Sequence, residues 1–243
     1  MTTMRTLQIL AVVCAIGCGD DSMGMSGDAG FDVPAVDAVS DVPSDSGSDA
    51  PSDAASDAPP GMDAGWPRFV GGERPASYAV PAGYDPAEPT PLLVVLHGFG
   101  ANGGLQDVYF NTQQRASEHG MLLVYPDGTE NAGGTRFWNA PDSCCDLIDD
   151  MSEHFNVDRG RVYLLGHSNG GFMSYRMACD APEQITAIVS LAGATAFDES
   201  DCTPSLATSV LQIHGTMDET IEFEGGQILG EPFPGVLETV GRH

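Results

Sequence analysis

Residues 162–171 read Val162-Tyr163-Leu164-Leu165-Gly166-His167-Ser168-Asn169-Gly170-Gly171, and this stretch decides the fold. The apolar run 162–165 predicts a buried strand, and the pattern over 172–179 predicts a helix that follows at once. The Gly-x-Ser-x-Gly motif between them has the strand, sharp turn and helix of a nucleophile elbow. Only small residues fit two positions before and after the serine, whose hydroxyl stands above the sheet edge beside a helix N-terminus. Ser168 is therefore a candidate nucleophile, and the alternative is a chance motif in a loop.

A continuous apolar run predicts a buried strand at 91–96, and another buried strand is predicted at 121–125. Strands are also predicted at 77–80, 187–191 and 210–214. Helices are predicted at 106–118 and 147–155, and a long loop is predicted at 126–146. Strands that alternate with helices are typical of an α/β domain with a mostly parallel sheet flanked by helices. In open sheets of this kind, ligands bind at the carboxyl ends of the strands.

Two backbone N–H groups are candidates for an oxyanion hole, which stabilises the negative charge of a tetrahedral intermediate. One belongs to Asn169, the residue after the candidate nucleophile. The other belongs to Phe99, in the loop His97-Gly98-Phe99-Gly100 that follows the strand predicted at 91–96. The alternative is that this loop is only a Gly-rich turn.

A catalytic acid is expected after the serine in chain order, just past a later strand. Asp218 meets this condition because it lies in a turn after the strand predicted at 210–214, although a solvated turn aspartate is the alternative. Asp127 precedes the serine and has the wrong order. The general base is harder to assign, because His243 alone follows Asp218. No clear strand precedes His243 and terminal residues fray, so we do not expect it to be the base.

The other five histidines have structural interpretations. His97 and His167 lie beside the candidate oxyanion hole and nucleophile, in the wrong chain order for a base. His214 ends a predicted strand, and His119 and His154 are predicted on helix surfaces.

The first 18 residues are typical of an export signal, in which Arg5 precedes an apolar run too short to span a bilayer. The run ends at Ala15-Ile16-Gly17-Cys18, which resembles a bacterial lipobox and predicts a lipid anchor at Cys18. The alternative is an ordinary secretory signal. Residues 19–65 repeat Ser-Asp-Ala-Pro units and predict a disordered linker, because they cannot bury enough apolar surface to fold. The folded domain is predicted at 66–243. The predicted export signal places this domain outside the cell or in the cell envelope.

The net charge and the sequence motifs limit the classes of partner and cofactor that we expect. The 243 residues include 9 basic and 35 acidic side chains, for a net charge of −26. This balance argues against nucleic acid, because phosphate binding needs a basic face. The sequence contains neither a phosphate loop nor a dinucleotide fingerprint, so no cofactor is predicted. We expect a monomer whose only link to a membrane is the anchor at Cys18.

Six cysteines in so small a chain indicate an oxidising compartment. Four of them, Cys144, Cys145, Cys179 and Cys202, lie in the predicted domain and allow three pairings. A vicinal bridge is strained, so we expect the 144/145 pair to be joined to Cys179 and Cys202. A zinc site is the alternative, but clear Cys-x-x-Cys spacing is lacking.

Seven motifs in chain order carry a family resemblance. They are Val80-Pro81-Ala82-Gly83-Tyr84-Asp85, Leu93-Val94-Val95-Leu96-His97-Gly98, Tyr125-Pro126-Asp127-Gly128, Trp138-Asn139 with Cys144-Cys145, Asn156-Val157-Asp158-Arg159-Gly160-Arg161-Val162-Tyr163, Gly166-His167-Ser168-Asn169-Gly170-Gly171 and His214-Gly215-Thr216-Met217-Asp218. The set resembles the polyhydroxybutyrate depolymerase and feruloyl esterase family of secreted α/β-hydrolases. The resemblance implies an α/β-hydrolase fold and a serine hydrolase of carboxylic esters, with Ser168 as the nucleophile and Asp218 as the acid.

The sequence departs from the family pattern in two places. The stretch between Cys145 and Leu147 is shorter than usual, and the family's Gly-Gly-His loop, which carries the catalytic histidine, is absent after 237–240. We therefore expect a chain truncated before its general base, a C-terminally incomplete domain and an unpaired strand edge at 210–214. Loss of one triad member leaves a residual rate about 10³–10⁴-fold over water.

These observations predict a secreted or lipid-anchored serine carboxylesterase that acts on feruloyl esters of plant polysaccharide or on polyhydroxyalkanoate polyesters. The alternative is a catalytically impaired surface lipoprotein that binds polysaccharide or polyester without turnover. A peptidase on the same fold has no discriminating residue in its favour. Trp138 would line an acyl pocket or, in the preferred interpretation, fill a buried structural position.

Overall fold

The computed structural model describes residues 65–139 and 145–243. The strands are β1 (Ser77–Ala79), β2 (Thr90–Leu96), β3 (Leu122–Tyr125), β4 (Thr129–Glu130), β5 (Arg136–Phe137), β6 (Val157–His167), β7 (Ala187–Leu191), β8 (Ser209–Ile213), β9 (Gly225–Ile228) and β10 (Glu231–Pro234). The helices are α1 (Gly103–Phe110), α2 (Thr112–Glu118), α3 (Cys145–His154), α4 (Asn169–Asp180) and α5 (Val236–Gly241), and a 3-10 turn covers Glu199–Asp201. Not one helix in the described part combines the length and the apolar character needed to cross a bilayer. The predicted export signal with Cys18 and nearly all of the linker lie outside the described residues.

The main sheet has six strands in the order β1-β3-β2-β6-β7-β8. Strand β1 runs antiparallel to β3, and the other neighbouring pairs are parallel. The predicted α/β class with a mostly parallel sheet is therefore confirmed. Within the described residues β8 pairs only with β7, so it forms one edge of the sheet, as predicted for 210–214.

Side chains of the central strands alternate between two faces, and helices cover both. Val94 of β2 and Leu164 of β6 pack into a core with side chains of α3 and α4. Val95 and Leu123 point the other way and pack against Ala116 of α2. The four strand side chains are fully buried. Since neither face meets water, the strands are apolar at successive positions, which explains the continuous apolar runs in the sequence.

Local geometry corrects three of the predicted elements. The helix predicted at 106–118 is two helices, because Asn111 between α1 and α2 adopts a left-handed conformation with φ 54°, which asparagine tolerates better than most residues. The loop predicted at 126–146 carries the short β4–β5 ladder. The prediction that no strand precedes His243 is wrong, since β9 and β10 form an antiparallel hairpin just before α5.

The disulfide differs from the predicted pairing. Cys179, at the end of α4, is bonded to Cys202, with their Cα atoms 5.2 Å apart. The expectation that both would join the 144/145 pair is therefore wrong. The chain after β7 turns back and brings Cys202, just past the 3-10 turn, to the end of α4. This return path depends on the fold, and sequence spacing alone does not reveal it.

Candidate active site

Ser168 lies on a sharp turn between the end of β6 and the start of α4. Its backbone has φ 52° and ψ −119°, a conformation that costs a non-glycine residue about 1–3 kcal/mol. Hydrogen bonds on both sides hold it there: the Ser168 N–H donates to the Leu191 carbonyl at 2.7 Å, and its own carbonyl accepts from the Phe172 N–H at 3.0 Å. The parallel sheet therefore presents this side chain at its carboxyl edge, where the sequence predicted it.

The glycines around Ser168 make the turn possible. A Cβ atom on Gly166 would overlap the carbonyl of Gly170, and one on Gly170 would overlap the carbonyl of Leu96 at the end of β2. One on Gly171 would lie 2.7 Å from the hydroxyl of Ser190 in β7. The helix consequently starts in direct contact with the sheet, which confirms the predicted need for small residues two positions from the serine.

The loop at 97–101 borders the turn. A Cβ built on Gly98 would lie 3.6 Å from the Cβ of Ser168. The Gly98 N–H donates to the Gln106 side chain at 3.2 Å, and the Gly100 N–H donates to the Arg136 carbonyl at 2.8 Å. Phe99 lies between these two fixed amides and is 54% exposed. The structure therefore brings the predicted oxyanion loop next to the candidate nucleophile.

Asn169 contributes more than the backbone N–H predicted for it. As the first residue of α4, its N–H has no acceptor within the helix and remains available beside Ser168. Its side chain accepts from the Trp138 N–H at 2.6 Å and donates to the Trp138 carbonyl at 3.2 Å. The side chain thus clamps the end of the β4–β5 segment to the start of the helix, a role that no sequence motif indicated.

His97 and Trp138 form a buried structural pair. The Trp138 indole N–H donates to the His97 carbonyl at 2.8 Å, and Trp138 is 5% exposed, in agreement with the preferred structural interpretation. His97 Nδ1–H donates to the Gly98 carbonyl at 2.7 Å, and Nε2 accepts from the Gly128 N–H at 2.9 Å. Burial lowers the pKa of His97, against a smaller opposing effect of the Gly98 bond. The neutral ring has both nitrogens engaged and supports the oxyanion loop.

Asp218 follows β8, in the turn that begins at Gly215. One carboxylate oxygen, Oδ1, accepts from the N–H groups of Thr220 and Ile221, both at 2.9 Å. The other, Oδ2, lies 3.9 Å from His214 Nε2. The side chain is 24% exposed, so Oδ2 can still accept a hydrogen bond from another group. The two hydrogen bonds to Oδ1 hold the carboxylate in one orientation.

A buried polar network connects α4 to the turn at 215–221 that carries Asp218, which we call the acid turn. The Tyr175 hydroxyl donates to Gln212 Oε1 at 2.9 Å, and Gln212 Nε2 donates to the Gly193 carbonyl at 2.8 Å. Gln212 Nε2 also lies 3.0 Å from His214 Nδ1, and His214 Nε2 lies 2.6 Å from the Ile221 carbonyl. The carbonyl can only accept, so the His214 proton is on Nε2 and Nδ1 accepts from Gln212. His214 therefore fastens the turn that carries Asp218.

His167 lies beside Ser168, as the sequence predicted, and makes a ring contact that the sequence did not predict. Its ring stacks on Tyr109 of α1, with ring centres 5.5 Å apart and planes 14° from parallel. Burial lowers the pKa of His167, while the negative charge of Asp218 acts in the opposite direction. Leu105, Val108 and Tyr109 of α1 are exposed.

His243 lies away from Ser168, beside the disulfide. Its Nε2 lies 3.0 Å from the Thr195 hydroxyl and 3.6 Å from Cys202 Sγ, and its ring lies 5.0 Å from the Tyr175 ring. Tyr175 is two helical turns beyond Ser168, about 10 Å along α4 at 1.5 Å per residue. All six histidines lie in the described residues, and none of them is hydrogen-bonded to Ser168 there.

The site belongs to a recognisable class. A serine in a strained strand-to-helix turn, at the carboxyl edge of a parallel sheet covered by helices on both faces, is typical of α/β-hydrolases. The chain is similar to a solved thermostable esterase, with a TM-score of 0.50, 21% identity, and coverage of 62% of this chain and 44% of that one. The fold is thus the predicted α/β-hydrolase fold.

Sequence comparisons find similar proteins among the carboxylesterases. Residues 134–238 match the Phospholipase/Carboxylesterase family model. A bifunctional acetylxylan esterase/xylanase of Neocallimastix patriciarum is 27% identical over 137 residues, which cover 56% of this chain and 20% of that protein. Feruloyl esterase C of Emericella nidulans is 29% identical over 161 residues, which cover 63% of this chain and 58% of that protein. The predicted resemblance to carboxylesterases, among them feruloyl esterases, is confirmed, while the chain spans less than two thirds of the length of these curated relatives.

Replacement of Asn169 with alanine is expected to lower the free energy of unfolding by about 1.5 kcal/mol. Two side-chain hydrogen bonds to a half-buried backbone segment are lost, and the Trp138 N–H and carbonyl lose their partners. Urea denaturation measures the change. Gln114→Ala, which removes exposed side-chain hydrogen bonds on α2, serves as the matched control and is expected to change stability by less than about 0.5 kcal/mol. Equal effects of the two substitutions would contradict the clamp.

Proposed function

We propose that the chain is a serine carboxylesterase in which Ser168 is the nucleophile. The observation that carries the proposal is the strained backbone of Ser168, held at φ 52° by bonds to β7 and α4. Such strain persists only where the surrounding structure over-determines it, and it is characteristic of functional sites. The segment 134–238 that matches the carboxylesterase model includes both Ser168 and Asp218.

In the proposed reaction, the Ser168 hydroxyl attacks the carbonyl carbon of the ester and forms a tetrahedral intermediate. The N–H groups of Asn169 and Phe99 stabilise the oxyanion, and collapse of the intermediate releases the alcohol and leaves an acyl-serine. Water then hydrolyses the acyl group. Asp218 would orient and stabilise an imidazole base through Oδ2. The described residues place no imidazole in hydrogen-bond contact with Ser168, so the general base is the one role left unassigned.

The surroundings of Ser168 favour an aromatic acyl group. Tyr109 is 64% exposed and stacks on His167, and Phe99 is 54% exposed on the oxyanion loop. Exposed aromatic rings on neighbouring elements suit a flat ring such as a hydroxycinnamoyl group. Several similar proteins are feruloyl esterases by name. We therefore propose feruloyl esters of plant polysaccharide as the substrate class, with short polyesters as the second candidate. We further propose that residues 66–243 form the esterase domain and that the preceding segment serves export and tethering.

Ser168→Ala is expected to slow ester hydrolysis at least about 10-fold, because the chain loses its only proposed nucleophile. Turnover of methyl ferulate and p-nitrophenyl butyrate measures the rate. Mass spectrometry after treatment with a fluorophosphonate tests whether Ser168 is the residue modified. Ser117→Ala, at an exposed serine of α2, is the matched control and is expected to keep the natural rate and labelling.

His243→Ala is expected to leave the rate unchanged, because His243 contacts Cys202 and Thr195 rather than Ser168. A loss of turnover in this variant would identify His243 as the base. A natural chain that is no faster than Ser168→Ala and is not labelled would reject the esterase proposal.

A binding function without turnover is the second candidate. The observation in its favour is that His97 and His214 use both ring nitrogens in structural bonds and that His243 contacts the disulfide region. If the chain binds without turnover, calorimetric titration with feruloylated arabinoxylan or with polyester oligomers is expected to show saturable binding. Ser168→Ala is expected to leave that binding unchanged.

A further inference from the structure

Two sulfur atoms and one imidazole meet on the side of α4 away from its N-terminus. Cys179 Sγ, Cys202 Sγ and a ring nitrogen of His243 all lie within 4.8 Å of one another. Cys202 is 9% exposed, and Cys179 and His243 are half-buried. The proposed esterase mechanism uses none of the three.

The separations fit tetrahedral coordination of zinc. Zinc binds sulfur at about 2.3 Å and imidazole nitrogen at about 2.0–2.1 Å, so two such ligands of one tetrahedral ion lie about 3.6 Å apart. His243 Nε2 lies 3.6 Å from Cys202 Sγ. Two sulfur ligands would need a separation of about 3.8 Å, so the S–S bond must first be broken. The Cα atoms of the two cysteines are 5.2 Å apart, and side-chain rotation can supply the remaining separation without movement of the backbone.

The His243 imidazole makes few polar contacts in the part of the chain that the structure describes. Thr195, which is 3% exposed, places its hydroxyl 3.0 Å from His243 Nε2, so a metal ion bound at Nε2 would replace this hydrogen bond. His243 Nδ1 is buried and has no hydrogen-bond partner in the described residues. The His243 ring contacts the Tyr175 ring, and the neighbouring Arg242 side chain donates to the Ala196 carbonyl at 2.7 Å.

We propose that reduction of the Cys179–Cys202 bond converts this cluster into a binding site for one thiophilic divalent cation such as Zn²⁺. A dithiol supplies two electrons and two protons, becomes a disulfide itself, and leaves two thiols on the chain. Zn²⁺ then displaces the two thiol protons and binds both thiolates and His243 Nε2, with no change in its own oxidation state. The disulfide and the metal site are mutually exclusive, and either one ties the end of α4 to the loop at Cys202. This site does not depend on the esterase proposal.

The test uses the full chain with Cys14, Cys18, Cys144 and Cys145 replaced by serine, so that Cys179 and Cys202 are the only thiols. The protein is reduced with dithiothreitol, desalted without oxygen and titrated with Co²⁺, whose thiolate charge-transfer absorption reports coordination by sulfur. We expect one Co²⁺ per reduced chain, displacement of Co²⁺ by Zn²⁺, and no such absorption in the oxidised chain. Near-ultraviolet circular dichroism of the reduced chain is expected to remain that of the folded protein.

Substitution of His243 tests whether the histidine is a ligand or whether the two thiolates alone bind the metal. Loss of an outer-shell partner already weakens metal binding about 10–100-fold, so His243→Gln, which removes a direct ligand, is expected to weaken it at least about 100-fold. His154→Gln on the surface of α3 is the matched control and is expected to keep the natural affinity. Equal binding by the oxidised chain, an unchanged affinity in His243→Gln, or loss of the folded spectrum on reduction would each overturn the inference.

Discussion

A Gly170→Ala chain is expected to lose at least about 4 kcal/mol of its free energy of unfolding, which would leave much of it unfolded. The added Cβ would overlap the backbone carbonyls of Leu96 and His97, at the point where α4 meets the end of β2. Overpacking commonly costs about 1–3 kcal/mol when side chains can shift. Here the obstacle is backbone of the central strand, whose displacement would also disturb the oxyanion loop, so we expect a larger loss.

Urea denaturation or soluble yield measures the effect, and Gly104→Ala is the matched control. Gly104 also lies in the first turn of a helix, but a Cβ there would meet only the Asn102 side chain, at an ordinary 3.5 Å. Alanine is the better helix former by about 1 kcal/mol, so Gly104→Ala is expected to be neutral or stabilising. A Gly170→Ala chain as stable as Gly104→Ala would show that the helix does not sit against β2 as described.

The parts of the fold that the sequence could predict are those in which local pattern and burial agree. The runs at 91–96 and 162–165 are apolar at consecutive positions because helices cover both faces of the sheet. This pattern can be recognised from the sequence alone. The turn at Ser168 was equally readable, since its steric demand falls on Gly166 and Gly170, which are close in sequence. Constraints between residues that are close in sequence can therefore be predicted from a short motif.

The features that could not be predicted depend on residues far apart in the chain. The Asn169 clamp needs Trp138, which lies 31 positions earlier. The disulfide depends on how the chain returns after β7, and the break at Asn111 depends on one left-handed residue within a sequence that otherwise suits a helix. Hydrogen-bond partners of this kind are chosen by tertiary structure, so residue type and spacing indicate candidates and leave the pairing open.

The polar network under the acid turn leads to the second large effect. His214→Leu is expected to lower the free energy of unfolding by about 3 kcal/mol, because leucine leaves Gln212 Nε2 and the Ile221 carbonyl without their buried partner. The Ile221 carbonyl anchors the turn whose N–H groups hold Asp218. The amides of Thr220 and Ile221 are therefore expected to exchange with solvent faster than in the natural chain, even where the sheet amides keep their protection.

Two further variants test whether the hydrogen bonds of His214 cause this effect. His214→Gln keeps a donor and an acceptor on one side chain and is expected to recover part of the lost stability and protection. His119→Leu, at an exposed position beyond α2, is expected to change stability by less than about 0.5 kcal/mol. Denaturation gives the stability, and hydrogen exchange followed by nuclear magnetic resonance gives the protection of each amide. If His214→Leu matched His119→Leu in both measurements, the network would be incidental to the acid turn. The proposed orientation of Asp218 would then rest on the bonds from Thr220 and Ile221 alone.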